Sequence, residues 1–109
     1  MDLTHSLMSM KPGQLRQFNS GGQTFTARYH ARPSTGDNGK RVSGATVGEF
    51  TLEHPGGRVT THEHGPQANT EQAARRGANP NARVYAAENA SRTMATHWQT
   101  AKMGFNDRR

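Results

Sequence analysis

Apolar side chains are sparse in this chain, and its elements are read from the few places where they recur on a period. Leu3, Leu7 and Met10 are spaced i, i+4, i+7, which predicts a short N-terminal helix ending before Pro12-Gly13. Asn19-Ser20-Gly21-Gly22 marks a turn. From Thr24 to Arg32 the pattern then alternates: Phe25, Ala27, Tyr29 and Ala31 share one face, and Thr26, Arg28, His30 and Arg32 the other. That is a half-buried strand with a basic outer face, which Pro33 is expected to end. After a turn at Asp37-Asn38-Gly39-Lys40, Val42 to His54 reads as a longer, weaker strand, bent or bulged at Gly44 and Gly48. His54-Pro55-Gly56-Gly57 has Pro and Gly at the central positions of a type II turn, with Arg58 to His62 returning as the second arm of a hairpin near 50–62.

Past Pro66 the period changes from two to three and four. Asn69 is the expected cap of a helix at about 70–76, with Glu71 in its first turn, Arg75 and Arg76 in its last, and Gly77 after it. Asn79-Pro80 opens a second helix, expected over about 80–103. Along it Val84, Ala87, Ser91, Met94, Trp98, Ala101 and Phe105 form one narrow stripe of heptad type. Its Ala and Ser members permit close approach to a flat surface, which is either an external partner or the chain's own strands. Tyr85 lies on the opposite face.

The fold class is therefore a small α+β arrangement: a short N-terminal helix, a few irregular Gly-rich strands, two C-terminal helices, and a sizeable irregular or extended fraction. Composition divides the chain at the same place. Ten of the 12 Gly lie between Gly13 and Gly65, and ten of the 13 Ala follow Pro66. One domain at most is expected, with a basic, Gly-rich strand and turn region over 1–66 and an Ala- and Arg-rich helical region over 67–109.

Charge and apolar content narrow the function classes. The formal net charge is +6, and 11 of the 14 cationic residues are Arg. Residues 1–36 carry +3, 37–64 carry −1 and 65–109 carry +4, so basic ends flank a nearly neutral middle. Arg presents a planar fork of donors that suits carboxylate or phosphate. There is no Ile, and only four each of Leu, Val and Phe, which leaves little material for a deep apolar ligand pocket. No small-molecule substrate and no cofactor are expected. The absence of Cys removes disulfides, thiolate metal sites and Cys nucleophiles. It points to an intracellular protein of the cytoplasm or cytoskeleton, with a virion or organelle import as the alternatives, since the first 35 residues hold a single acid. No apolar run is long enough for a membrane span.

Three functions compete. The first is a non-enzymatic structural or accessory protein that becomes ordered on a larger acidic assembly, such as a microtubule, a virion or a nucleoprotein particle. Its contact residues are Arg28, Arg32, Arg75, Arg76, Arg83 and Trp98, with Trp98 as the anchor of the helical stripe. The second is a nucleic-acid-binding module using the same Arg set. The third is a small ribonuclease-type toxin. Its acid–base groups come from His30 or His62 and from Glu49 or Glu53, and its phosphate clamp from Arg28, Arg32 or Arg58. His54, His62 and His64 are weak candidates for a metal site, because His62 and His64 fall on one face of a strand end.

Overall fold

In a computed structural model of the chain, residues 2–35 and 41–97 are described. They form α1 (Thr4–Met8), β1 (Leu15–Ser20), β2 (Gln23–Thr35), β3 (Arg41–Glu53), β4 (Val59–Ala68), α2 (Glu71–Arg75) and α3 (Ala82–Ala95). The strands make one antiparallel sheet in the order β1-β2-β3-β4, a meander in which every neighbour in space is a neighbour in sequence. The fold is thus α+β, a four-stranded sheet with a few helices.

The turns follow from their residues. Ser20 pairs with Gln23, and Gly21 and Gly22 between them both take positive φ, as a two-residue hairpin requires. At the other hairpin Gly57 N–H donates to the His54 carbonyl at 3.0 Å, and Gly56 has φ +91°, the type II geometry. β2 continues through Pro33 to Thr35. Proline is tolerated there because β1 reaches only as far as Arg28, so this part of β2 has β3 alone as a partner and one side is an edge. β4 carries one extra residue. Gly48 pairs with His64 but Thr46 pairs with Gln67, so Gly65 and Pro66 together face Val47.

One face of the sheet is covered. Phe18, Phe25, Ala27, Tyr29, Phe50 and Leu52 point inward from the strands and meet Ala86, Ala87, Ala90 and Met94 of α3 and Leu3, Leu7 and Met10 from the α1 segment. The rings sit on the sheet, so the helix must be thin where it touches, and its alanines make it so. The helical stripe is a core-facing seam over its described part. Ala87, Ser91 and Met94 are buried as the spacing predicts, Val84 is half-buried, and Ala86 and Ala90 complete the face. Trp98, Ala101 and Phe105 lie outside the described residues.

Several boundaries differ from the expected ones. α3 begins at Ala82 rather than at Pro80, because Asn79 is drawn into a bridge with Gln67 and its side chain accepts from Asn81 N–H. The Gln67 side chain accepts from Arg83 N–H at 2.7 Å, so β4 itself supplies one of the helix's missing N-terminal partners. The short helix is capped by Thr70, not Asn69; Thr70 Oγ1 accepts from Ala73 N–H at 3.1 Å. β4 runs across the division at residue 66.

The N-terminal segment is integral to the core. Leu7 is fully buried, and Leu3 N–H donates to Ser91 Oγ at 2.9 Å. We expect Leu7→Ala to cost about 2–5 kcal/mol and Phe25→Ala about 3–5 kcal/mol in urea unfolding. Tyr85→Ala, on the exposed side of α3, should change stability by no more than about 0.5 kcal/mol.

Candidate functional site on the open face of the sheet

Among the described residues no element covers the other face, and the strand period decides which residues stand on it. β2 contributes Thr26, Arg28, His30 and Arg32, β3 contributes Val47, Glu49, Thr51 and Glu53, and β4 contributes Val59, Thr61 and Glu63. The register arranges them in rows. His30 is opposite Glu49, which is opposite Glu63; Arg28 is opposite Thr51; Arg32 is opposite Val47; Thr26 is opposite Glu53. Directly opposed side chains start about 4.5–5.5 Å apart, and diagonal neighbours about 7–8 Å apart. His30 and Glu49 therefore stand at the centre, with Arg28 and Arg32 diagonal to Glu49 on either side.

These charges are not neutralised. Among the described residues the ion pair is Arg75–Glu71, on α2 and remote from this face. Among the described residues, the side chains of Arg28, His30, Arg32, Glu49, Glu53 and Glu63 make no ion pair or hydrogen bond with one another. Glu49 and Glu63 are like charges placed directly opposite, an arrangement that lowers stability. Two cavities flank the row. One, of about 220 Å³, is lined by Leu15, Thr26, Arg28, His30, Thr51, Glu53 and Val59. The other, of about 130 Å³, is lined by Arg32, Val47, Gly48, Glu49, Glu63 and His64.

Gly48 and His64, which line the second cavity, belong to the covered-side half of the strand alternation. A Cβ at Gly48 would collide with the His30 carbonyl and lie 2.8 Å from His64 Nε2. Only glycine leaves room here for the inward-facing His64 ring. His64 Nδ1 faces the Gly65 carbonyl at 2.8 Å, an acceptor only, so that nitrogen carries the proton and Nε2 accepts from the Tyr29 hydroxyl at 2.8 Å. Burial, opposed by nearby Arg83, raises the Tyr29 hydroxyl above its ordinary value and keeps it a donor.

The other residues singled out by the sequence are placed as follows. Arg83 is half-buried: its guanidinium lies 4.3 Å over the Tyr29 ring and donates to the Met10 carbonyl, so it packs the fold. Arg75 and Arg76 are exposed on and after α2, Arg58 is exposed in the β3–β4 hairpin, and Trp98 lies outside the described residues. The nuclease set divides between the two faces. His30, Arg32 and Glu53 are on the open face, but His62 points inward, so Glu49 and not His62 is the group beside His30.

The metal candidates do not converge. Both ring nitrogens of His64 are engaged as above. His54 bonds Thr60 Oγ1 through Nε2 at 2.8 Å and His97 Nδ1 through Nδ1 at 2.9 Å, while His62 Nε2 meets the same Thr60 oxygen at 3.1 Å. Among the described residues no group of three His, Asp or Glu is placed to hold a metal ion.

No protein-family model, curated protein or solved structure matches the chain. Among the described residues no helix is long and apolar enough to cross a membrane.

The geometry makes two stability predictions. Glu63→Gln relieves the like-charge pair and should raise unfolding stability by about 0.2–1 kcal/mol at neutral pH, with a smaller gain in high salt. Gly48→Ala should cost about 1–3 kcal/mol, and the backbone amide resonances of His30 and His64 should shift with it.

Proposed function

We propose that the open sheet face binds a phosphodiester of single-stranded RNA and cleaves it. The observation that carries this reading is the row of exposed His30 and half-buried Glu49, without an ion-pair partner among the described residues, between Arg28 and Arg32. A purely structural charged face would be expected to pair its Arg and Glu side chains. A face made only to grip a polyanion would not set three Glu among two Arg. Acid–base chemistry on a phosphate needs both signs: cations for the non-bridging oxygens, a carboxylate to accept a proton and an imidazole to deliver one.

In the proposed step the guanidinium groups of Arg28 and Arg32 hold the phosphate through charge-assisted hydrogen bonds. Glu49 takes the proton of the ribose 2′-hydroxyl, and the 2′-oxygen attacks phosphorus. The bond from phosphorus to the 5′-oxygen breaks, and that oxygen leaves with a proton from the His30 imidazolium. The products are a 2′,3′-cyclic phosphate end and a 5′-hydroxyl end. The chain's net charge of +6 favours encounter with RNA over the whole surface.

The accessory-protein reading is supported by a different observation. Lys11, Arg58, Arg75, Arg76 and Arg92 are exposed away from the open face. They are the groups that would face an acidic assembly, and such binding needs neither His30 nor Glu49.

The test is incubation of the protein with end-labelled single-stranded RNA and resolution of the products. The parent should produce cyclic-phosphate ends, and His30→Ala and Glu49→Gln should each slow cleavage by about 10²–10⁴-fold. Arg28→Ala combined with Arg32→Ala should weaken RNA binding and its salt dependence. Absence of cleavage by the parent removes the nuclease reading. Salt-sensitive retention on an acidic protein lattice, weakened by changing Arg75 and Arg76 to Ala and not by His30→Ala, would then establish the accessory role.

A further inference from the structure

We infer that His97, Thr60, His54 and His62 form an acid-sensitive latch that holds the C-terminal end of α3 to the β3–β4 hairpin. The inference is independent of the open face, since all four side chains lie on the covered side of the sheet or at the end of α3.

The latch is a single hydrogen-bonded row. His97, just past the Thr96 cap of α3, meets His54 through the two Nδ1 atoms at 2.9 Å. His54 closes the end of β3, with its own N–H donating to the Arg58 carbonyl at 2.7 Å. Its Nε2 meets Thr60 Oγ1, which in turn meets His62 Nε2. Phe25 packs edge-on against both imidazoles, 5.3 Å from His54 and 5.2 Å from His97. His54 is 2% exposed, so a bond lost here is not replaced by water unless the end of the helix moves.

Proton counting shows why the row responds to acid. Each of its three links needs one hydrogen. With neutral imidazoles the row is satisfied in two ways: every donor points from His62 toward His97, or every donor points from His97 toward His62. One added proton on His54 is also accommodated, because both of its nitrogens then donate, to His97 and to Thr60, and the Thr60 hydroxyl turns to His62. A second proton on the His54–His97 pair is not. Both Nδ1 atoms then carry hydrogen and face each other with like charge, and the link between helix and hairpin has no acceptor.

The surroundings oppose even the first proton. Among the described residues, the titratable and charged groups that face His54 are Arg58 from the hairpin, His97 from the end of α3 and His62 from β4, and β2 presents the Phe25 ring. Glu53, the preceding residue, points to the opposite face of the sheet. Burial first, and then Arg58, His97 and His62, lower His54 to about 4 from the ordinary 6.5. The folded state therefore prefers neutral His54, while the unlatched chain takes up the proton near pH 6.5. The latch is at full strength above about pH 6.5 and weakens as the pH falls toward 4. Across that window the unlatched form gains by up to about two orders of magnitude, tenfold for each unit of difference.

Imidazole nitrogen NMR and amide exchange on the full chain, from pH 7 to pH 4, test the inference. At pH 7 the spectra should show neutral His54 with both ring nitrogens hydrogen-bonded. As the pH falls, protection relative to intrinsic exchange should drop by tenfold or more at residues 94–97 and 54–60, ahead of Phe50, Leu52 and Ala87 in the core. His54→Asn, which keeps a neutral hydrogen-bonding side chain, should abolish this selective loss. If that variant does not fold, His97→Gln at the partly exposed end of the row serves the same purpose. Loss of protection at 94–97 no earlier than in the core, or a selective loss that persists in the variant, overturns the latch.

Discussion

The close seating of α3 on the sheet is the contact on which the rest of the structure depends. A chain with no Ile and four Leu cannot interleave two layers of bulky side chains. Its volume comes instead from Phe18, Phe25, Tyr29 and Phe50 on the strands, and the helix answers with Ala86, Ala87 and Ala90. Short side chains bring the two layers together, which is the condition for dispersion to contribute. Arg83 fits the same economy: its planar guanidinium lies flat on Tyr29 where an aliphatic side chain would ordinarily be used. Because the described helices all lie on one side, no described element covers the other sheet face, and the polar half of the strand alternation becomes a surface.

That surface rests on the interior beneath it. Gly48 leaves room for the His64 ring and the Tyr29 hydroxyl, and the extra residue at Gly65–Pro66 carries β4 past this point. Tyr29, whose backbone lies between those of Arg28 and His30, is anchored inward by His64 and Arg83. The two outer side chains that flank it are thus carried on a strand segment fixed from below. A charged row built on a rigid strand holds its spacing better than one built on a loop.

Much of this architecture was legible in the sequence, and the failures have physical causes. The alternation from Thr24 to Arg32 separated Phe25 and Tyr29 from Arg28 and His30 correctly, because a half-buried strand has period two. The His54-Pro55-Gly56-Gly57 turn and the two-glycine turn after Ser20 were also readable from residue chemistry. β1 was not, since Phe18 is its only large inward apolar residue and one residue makes no period. Pro33 suggested the end of a strand that in fact continues, because pairing on one side does not require its missing N–H. The division of the candidate acid–base residues between two faces follows from strand parity. The grouping of Glu49, rather than His62, with His30 depends on a register that only the completed sheet supplies. Arg83 looked like a surface cation because nothing local in the helix shows that Tyr29 will lie beneath it.

The bond from Leu3 N–H to Ser91 Oγ joins positions 88 residues apart. The meander needs no such reach, since each strand pairs with the one made just before it. Such local pairings close quickly, and distant ones wait on the cost of a long loop. During synthesis the sheet can therefore begin to assemble while Leu3 and Leu7 still lack the helix that will cover them. Leu3 and Leu7 precede the whole sheet in sequence yet are among the last to be buried, and until α3 emerges their apolar face is what a chaperone would meet.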